Sequence, residues 1–420
     1  MADPPALLRA LFARAVAVAD PMQVVAAHLP PRPAGRVVVV GAGKASARMA
    51  EAVEAAWGPC EGLVITRRGH GRPCRGIEVI EAAHPVPDAA GLQATSRMLT
   101  LLAGMGERDF VLALISGGAS ALLVQPEGAI TLTEKQAVNR ALLDSGAPIG
   151  AINTVRKHLS AVKGGQLAAA AWPARVLALL ISDVPGDDPA LIGSGPTVGC
   201  ASTAAEAQAI LARWRIAVPP SVAAVLAGKS RVRAPDDPRL ARVENRVIAA
   251  PAQSLAAAAA LARASGCEVR LLGDAIEGEA REVAGRQATE ALRLRAGLRR
   301  GAAPILLLSG GELTVTRRGD GCGGPSAEFA LALALALNGA PGIFALACDT
   351  DGVDGAAEVA GAVVTPDTLR AAVAVGVDPA QALARNDSHG FFAAVGGQVI
   401  TGPTLTNVND FRAILITPPA

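Results

Sequence analysis

Short apolar runs alternate along the chain with stretches whose apolar positions recur at helical spacing. Val37-Val38-Val39-Val40, led in by Arg36 and closed by Gly41, is an unbroken apolar run, the pattern of a strand buried on both faces. Ala45 to Trp57 follows with the composition of a helix. Similar apolar runs recur at Gly62 to Thr66, Phe110 to Ile115 and Val176 to Ile181. Between them, Leu132 to Leu143 and Thr154 to Ala171 predict helices, and Leu8, Leu11, Phe12 and Ala15 predict an amphipathic helix over Ala6 to Val18. Strands alternating with helices predict a parallel, Rossmann-like sheet with helices on both faces.

From Val218 to Pro238 the texture changes to Pro219-Pro220 and a polar, proline-punctuated stretch ending in Pro235-Asp236-Asp237-Pro238, a surface connection. Beyond it the alternation resumes. Val243 to Ala249 and Glu268 to Leu272 read as strands flanking an alanine-rich helix around Ser254 to Ala264. Further strands are predicted at Ile305 to Leu308, Leu313 to Thr316, Ile343 to Ala347 and Ala413 to Ile416. Leu313 to Thr316, followed by Arg317-Arg318-Gly319-Asp320-Gly321, predicts a hairpin on a mixed sheet. The fold class is therefore α/β, with two domains expected at 1–235 and 236–420.

Composition narrows the function. The chain has 420 residues, more than one core usually supports, and 51% of them are hydrophobic, enough for two cores. The net charge of +2, with both signs interspersed, offers no general attraction for nucleic acid. Aromatic residues are 2% with no tyrosine, so platforms for stacking bases are scarce as well. Cys60, Cys74, Cys200, Cys267, Cys322 and Cys348 form no CxxC pair and read as reduced, structural thiols. Met1-Ala2-Asp3-Pro4-Pro5 lacks the features of a secretory signal, and Val111 to Val124 is too short and too broken to span a membrane. The expectation is a cytoplasmic protein with no membrane or nucleic-acid partner; a homo-oligomer is left open.

In an open α/β sheet, ligands bind beyond the carboxyl ends of the strands. Gly41-Ala42-Gly43-Lys44-Ala45-Ser46 stands at the first such end, where glycines admit a phosphate to the backbone and Lys44 adds charge. The match to GxGxxG is incomplete, because Ser46 replaces the third glycine, and Thr66-Arg67-Arg68 offers no acidic ribose ligand. An ordinary tight turn would need the same glycines. Ser116-Gly117-Gly118-Ala119-Ser120 and Ser309-Gly310-Gly311-Glu312 repeat the logic after other strands. Asn153 is read as a helix cap, with Arg156 and Lys157 on the first turns, as a clamp for an anion or simply a solvated basic face. Asp183, Asp187 and Asp188 follow a strand and suit magnesium, which accepts one or two carboxylates together with phosphate oxygens. Asp349-Thr350-Asp351-Gly352-Val353-Asp354 is a second acidic loop without EF-hand spacing. Either acidic loop could equally be a set of Asx turns. Asn386 and Asn407 lie in the polar segments Arg385 to Ser388 and Thr401 to Asp410, and His84 and His389 are the histidines nearest such motifs.

Taken in order, Gly41 to Ala45, His84-Pro85-Val86-Pro87-Asp88, Ser116 to Ser120, Asn153 to Ser160, Ser182 to Asp187, Ser309 to Glu312, Asp349 to Gly355 and Thr401 to Asp410 resemble one family over nearly the whole chain. It is the bacterial glycerate 2-kinase family with a C-terminal MOFRL domain, some members of which carry the name hydroxypyruvate reductase. The resemblance implies transfer of the ATP γ-phosphate to the 2-hydroxyl of D-glycerate with a divalent metal. It also implies a site in a cleft between two α/β domains, lined by the lysine matching Lys44. Many members have Gly-Gly-Arg-Asn-x-Glu where this chain has Gly323-Gly324-Pro325-Ser326-Ala327-Glu328. The family arginine is thus missing at Pro325, so a residue such as Arg156 takes its role or substrate preference shifts. In a kinase, Lys44 and Arg156 would neutralise anionic oxygens, Asp183 and Asp187 would hold magnesium, and Asp351 would accept the hydroxyl proton. Ser116, Gly117, Gly118, Ser120, Asn153, Lys157 and the Ser309 to Glu312 residues would contact nucleotide or substrate. An NADPH-dependent reductase, using Arg67-Arg68 for a 2′-phosphate, and a non-catalytic sensor remain alternatives.

Overall fold

A computed structural model of the chain describes residues 3–355 and 357–419. It divides into two compact units, one of residues 21–183 and 187–248, the other of the described residues within 1–20, 184–186 and 249–420.

The first, parallel-sheet unit contains β1 (Val37–Ala42), β2 (Glu61–Arg67), β3 (Ile77–Ala82), β4 (Phe110–Ile115), β5 (Arg175–Ile181) and β6 (Val243–Ala249). Their order is β3-β2-β1-β4-β5-β6, and the pairings from β3 to β5 are parallel. β1 and β4 are buried along their whole length, as strands covered on both faces must be. The chain runs outward from β1 to β3 on one side and from β4 to β5 on the other. The β1/β4 junction is therefore the topological switch point, where the loops leaving two adjacent strands diverge and open a crevice. Helices Leu132–Asp144, Ile149–His158, Ala204–Arg213 and Pro220–Ala227 share a satellite core that includes Val138, Leu142, Val155, Leu211 and Val222.

The second, mixed-sheet unit contains β7 (Glu268–Gly273), β8 (Gly278–Glu279), β9 (Ile305–Gly311), β10 (Leu313–Thr314), β11 (Ile343–Asp349), β12 (Gly361–Val364), β13 (Gln398–Val399) and β14 (Asp410–Ile416). The main sheet has the order β13-β12-β11-β14-β9-β7 and is antiparallel except for the β7/β9 pair. Ala280–Gly297 and Pro325–Leu337 fill one core with Val283, Phe329, Leu331 and Leu333. Pro4–Ala17 and Pro251–Ala264 fill another, where Phe12 meets Phe411 with ring centroids 5.9 Å apart.

Several expectations need correction. The boundary expected at 235/236 lies nearer 248/249, because β6 completes the parallel sheet. The first helix also joins the mixed-sheet unit, where Leu8, Leu11 and Phe12 find their apolar partners. The helix expected over Thr154 to Ala171 is two, Ile149–His158 and Gln166–Ala170, interrupted where Gly164 and Gly165 take positive φ. Asn153 is consequently inside a helix whose N-cap is Pro148. Leu313–Thr314 forms no hairpin but pairs in parallel with Gly278–Glu279. Among the described residues one helical stretch, Pro4–His28, passes the length and apolarity expected of a membrane span, although it carries Arg9, Arg14 and Asp20 and is two helices, Pro4–Ala17 and Pro21–His28. Its first part, Pro4–Ala17, has its apolar residues in the mixed-sheet core, the setting of a core helix.

Candidate active site

The switch point of the parallel sheet brings together the loops after β1, β4 and β5. Gly41 allows β1 to lie against β4, since a Cβ there would come 2.4 Å from the Leu114 carbonyl. A Cβ on Gly43 would sit 2.1 Å from Ser116 Oγ. The two loops are stitched together accordingly: Lys44 N–H donates to Gly117 O (2.8 Å), Ala45 N–H to Ser116 Oγ (3.0 Å) and Ser116 N–H to Ala42 O (3.1 Å). Gly43 N–H goes to Ile65 O and Ser46 N–H to Gly43 O, while Ser46 Oγ is 2.8 Å from both Gly43 O and Ile65 O. The first glycine turn therefore spends its N–H groups inside the protein. Its contribution to a site is the Lys44 side chain, not a backbone cradle.

The β4 loop is different. The N–H groups of Gly117, Gly118 and Ser120 find no acceptor among the described residues. Gly118 is left-handed at φ +80, and a Cβ on it would press on the His84 ring (3.1 Å) and Lys44 Cγ (3.2 Å). Only glycine combines that φ with such close approach. Lys44, His84 and the open N–H groups of the β4 loop are thus neighbours.

Behind this loop lies an unusual concentration of positive charge. Lys163 is 1% exposed and donates through Nζ to Ser120 O (3.0 Å) and Gly193 O (3.2 Å). Lys135 is 2% exposed and donates to Leu159 O (2.8 Å). Lys157 is also buried, with Nζ 3.5 Å from Cys200 Sγ, and Arg156 keeps a buried Nε with no hydrogen-bond partner. None of the four forms an ion pair with a described carboxylate. Burial, and then the charge of Arg156, pull Lys135 down to about 7. Burial, followed by Lys135, Arg156 and Lys157, takes Lys163 well below its ordinary range, and burial lowers Arg156. Cations that repel one another inside a protein are costly unless an anion joins them. Ser120 Oγ, Ser194 Oγ and Asn153 Oδ1 form a polar chain beside them, with steps of 3.0 and 3.3 Å.

Asp183 and Asp187 follow β5. Asp187 holds the strained φ of +55, and its buried Oδ1 has no hydrogen-bond partner; a carboxylate oxygen is the kind of hard donor that magnesium accepts. Two carboxylates do not make a complete protein cage: no cluster of three or more metal-binding side chains occurs among the described residues. Magnesium tolerates this, because it takes its remaining ligands from water and phosphate.

The residues proposed in the mixed-sheet unit divide into two groups. Ser309-Gly310-Gly311 is not a phosphate loop. It is the end of β9, paired with β14, and its carbonyls and Ser309 Oγ receive the buried Arg412 guanidinium. Asn386 is consumed structurally: Oδ1 accepts from Arg318 N–H (2.7 Å) and Gly319 N–H (3.0 Å), and Nδ2 donates to Glu328 (3.0 Å). Pro325 opens helix Pro325–Leu337, whose first N–H groups, from Ser326 and Ala327, are capped by Asp354 at 2.9 and 2.8 Å. The loops after β11 and before β14, by contrast, meet at one end of the mixed sheet. Thr350 Oγ1 donates to Asn409 O (2.7 Å), Thr404 N–H donates to Asp351 O (3.1 Å), and Asn407 Oδ1 accepts from Asn409 N–H. Asp351 is fully buried there, with Oδ1 accepting from Val353 N–H, while Glu312 is exposed.

Lys135, Lys163 and Ser194 are site residues that the sequence reading did not choose. Lys135 had a legible signal: it stands three and seven residues before the buried Val138 and Leu142, on the apolar stripe of its helix.

Two family models match the chain, a domain of unknown function (DUF4147) over residues 7–227 and the MOFRL family over residues 305–410. A protein of Agrobacterium vitis named "Putative hydroxypyruvate reductase" is 53% identical over 98% of this chain and 94% of its own length. The D-glycerate 2-kinase of Thermotoga maritima is 37% identical over 99% of this chain and 100% of its own. A crystal structure of glycerate kinase from Thermotoga maritima superposes with a TM-score of 0.86, covering 98% of this chain and 99% of that one. On these matches, which span both units, the chain belongs to the glycerate 2-kinase family with a C-terminal MOFRL domain.

Proposed function

We propose that the protein is a cytoplasmic, ATP-dependent kinase that phosphorylates the 2-hydroxyl of D-glycerate to give 2-phosphoglycerate, with magnesium as its metal. The observation that carries this reading is the buried group Lys135, Arg156, Lys157 and Lys163, without carboxylate partners, behind the open N–H groups of the β4 loop. A polyphosphate supplies the missing negative charge and the missing acceptors together.

Phosphoryl transfer calls for positioning and charge neutralisation, with little covalent work for the protein. The substrate hydroxyl oxygen bonds to the γ-phosphorus, the bond from that phosphorus to the β,γ-bridging oxygen breaks, and ADP leaves. In this reading the N–H groups of Gly117, Gly118 and Ser120 orient phosphate oxygens, while Lys44 and Arg156 balance charge that shifts during transfer. Asp183 and Asp187 would hold magnesium, which would supply further neutralisation of the phosphates. Asp351 is our candidate to receive the hydroxyl proton. Arg156, whose Nε lacks a partner, is the residue we assign to the role of the arginine missing at Pro325.

The reductase reading finds less support. A dinucleotide pyrophosphate would need the N–H groups of the first glycine turn, and these are already bonded within the protein. Arg68 pairs with Asp88 at 2.7 Å, and Arg67 lies 3.4 Å from His70. Incubation with D-glycerate, ATP and magnesium, with the product identified by NMR, tests the proposal. Glycerate-dependent ADP and 2-phosphoglycerate are expected; NADPH oxidation with hydroxypyruvate and no ADP would reverse it.

A further inference from the structure

The segment that follows β5 contains a turn of three successive residues in the left-handed region: Gly193 (φ +58), Ser194 (φ +63) and Gly195 (φ +61). Glycine takes that conformation freely, whereas a residue with a Cβ disfavours it. The turn is fastened on two sides. Its three carbonyls accept from Lys163 Nζ (3.2 Å), Gly164 N–H (3.2 Å) and Gly165 N–H (2.9 Å). On the other side, a Cβ on Gly193 would come 2.9 Å from Ala119 Cβ, so the turn lies directly against the β4 loop.

A serine at the middle position is therefore strained where glycine would not be, and what it adds is one hydroxyl. That hydroxyl belongs to a residue only 1% exposed, and it reaches two elements at once. Ser194 Oγ lies 3.0 Å from Ser120 Oγ in the β4 loop and donates to Asn153 Oδ1 (3.3 Å) on helix Ile149–His158. Asn153 stands about one helical turn before Arg156 and Lys157 on that helix. Ser120 belongs to the loop whose open N–H groups are those of Gly117, Gly118 and Ser120. The hydroxyl thus ties the loop that offers donors to the helix that offers positive charge. Non-glycine residues held in the left-handed region persist where the surrounding structure over-determines them, and they cluster at functional sites.

We infer that Ser194 is a positioning residue for ATP: its hydroxyl sets the β4 loop and the Arg156 helix at the spacing that one polyphosphate bridges. In this role it touches no reacting atom and acts through Ser120 and Asn153. The inference rests on the kinase reading, since it takes the β4 loop as the phosphate site.

The test compares Ser194→Gly and Ser194→Ala with the parent by calorimetric titration of the full chain with ATP in the presence of magnesium. Both variants lack the hydroxyl, but only glycine is at ease in the left-handed turn, so Ser194→Gly should melt at or above Ser194→Ala. Both are expected to bind ATP about tenfold more weakly than the parent, through loss of the hydrogen bonds that orient the two elements. The stoichiometry should stay that of the parent. A merely structural hydroxyl would reduce the fraction of protein that binds and leave the dissociation constant alone, and that result would overturn the inference. Weaker binding by Ser194→Ala with parent-like binding by Ser194→Gly would trace the effect to backbone strain and overturn it too. Should Ser194→Ala fail to fold, the dissociation constant of Ser194→Gly decides the question. A parent protein that binds no ATP would defeat the kinase reading and this inference together; parent binding retained in full by Ser194→Gly would defeat the inference alone.

Discussion

Arg412 in the mixed-sheet unit and Lys163 in the parallel-sheet unit are both enclosed cations, 0% and 1% exposed. Arg412 sits 3.0 Å from the Asp410 carboxylate, and two backbone carbonyls share its guanidinium. Glu328, fully buried in the same unit, has Arg281 at 2.6 Å, and Asp354 has a helix N-terminus and His389. Lys163 has two carbonyls and three neighbouring cations. The parallel-sheet unit can compensate buried charge where it has reason to: Glu54 is held by the N–H groups of Gly76 (2.7 Å) and Ile77 (3.0 Å). The difference teaches how to separate scaffold from site. Buried charge with a mate inside the protein is architecture, and buried charge of one sign without a mate marks where a ligand of the other sign belongs.

That contrast can be attacked from both sides. Lys44→Met and Arg156→Met should each lower kcat by about 10²- to 10³-fold in the D-glycerate assay, the usual cost of removing one group aimed at transition-state charge. The melting temperature of Arg156→Met should stay at or above the parent value, since Arg156 pairs with no described carboxylate. Retained turnover would remove the residue from the mechanism. Arg412→Met should do the reverse, destabilising the protein by about 3–5 kcal/mol in urea denaturation because Asp410 is left buried without its partner. Asp187→Asn should raise the magnesium concentration for half-maximal turnover by about tenfold or more, and an unchanged magnesium dependence would exclude it as a ligand.

The smallest effect is a pH slope. Folding lowers Lys135 from its ordinary 10.5 to about 7, so between these values the unfolded chain holds more protons than the folded one. Stability of the ligand-free protein should therefore rise as pH increases from about 7 towards 10.5, with Lys163 adding to the slope in the same direction. Thermal melts across this window should show the rise, and Lys135→Met should flatten it.

Much of the architecture was legible because buried parallel strands are written as unbroken apolar runs: Phe110–Ile115 falls where the pattern places it, and Arg175–Ile181 differs from the pattern by one residue. Ile77–Ala82 escaped because an edge strand carries Glu78 and Glu81 among its apolar residues. Gly361–Val364 and Gln398–Val399 are too short for any period to show. Glycine-rich stretches after apolar runs looked alike in sequence, yet they do three different things. The one at Gly43 locks β1 to β4, the one at Gly118 leaves N–H groups open, and the one at Gly310 continues a strand. Only pairing across the sheet distinguishes these, and pairing is a property of distant residues. The hidden part of the site was the charge balance, since Lys135 and Lys163 become uncompensated only once the fold buries them with no described carboxylate as a partner.

The most direct test of this account is a comparison of thermal melts of the parent protein and Lys163→Met, each with and without ATP and magnesium. The account predicts that ATP raises the parent's melting temperature, as a ligand bound only by the folded state must. It also predicts that the variant alone melts no lower than the parent and is not shifted by ATP. A variant that melts well below the parent and is still stabilised by ATP to the same degree would show that Lys163 is architecture, and would contradict the claim.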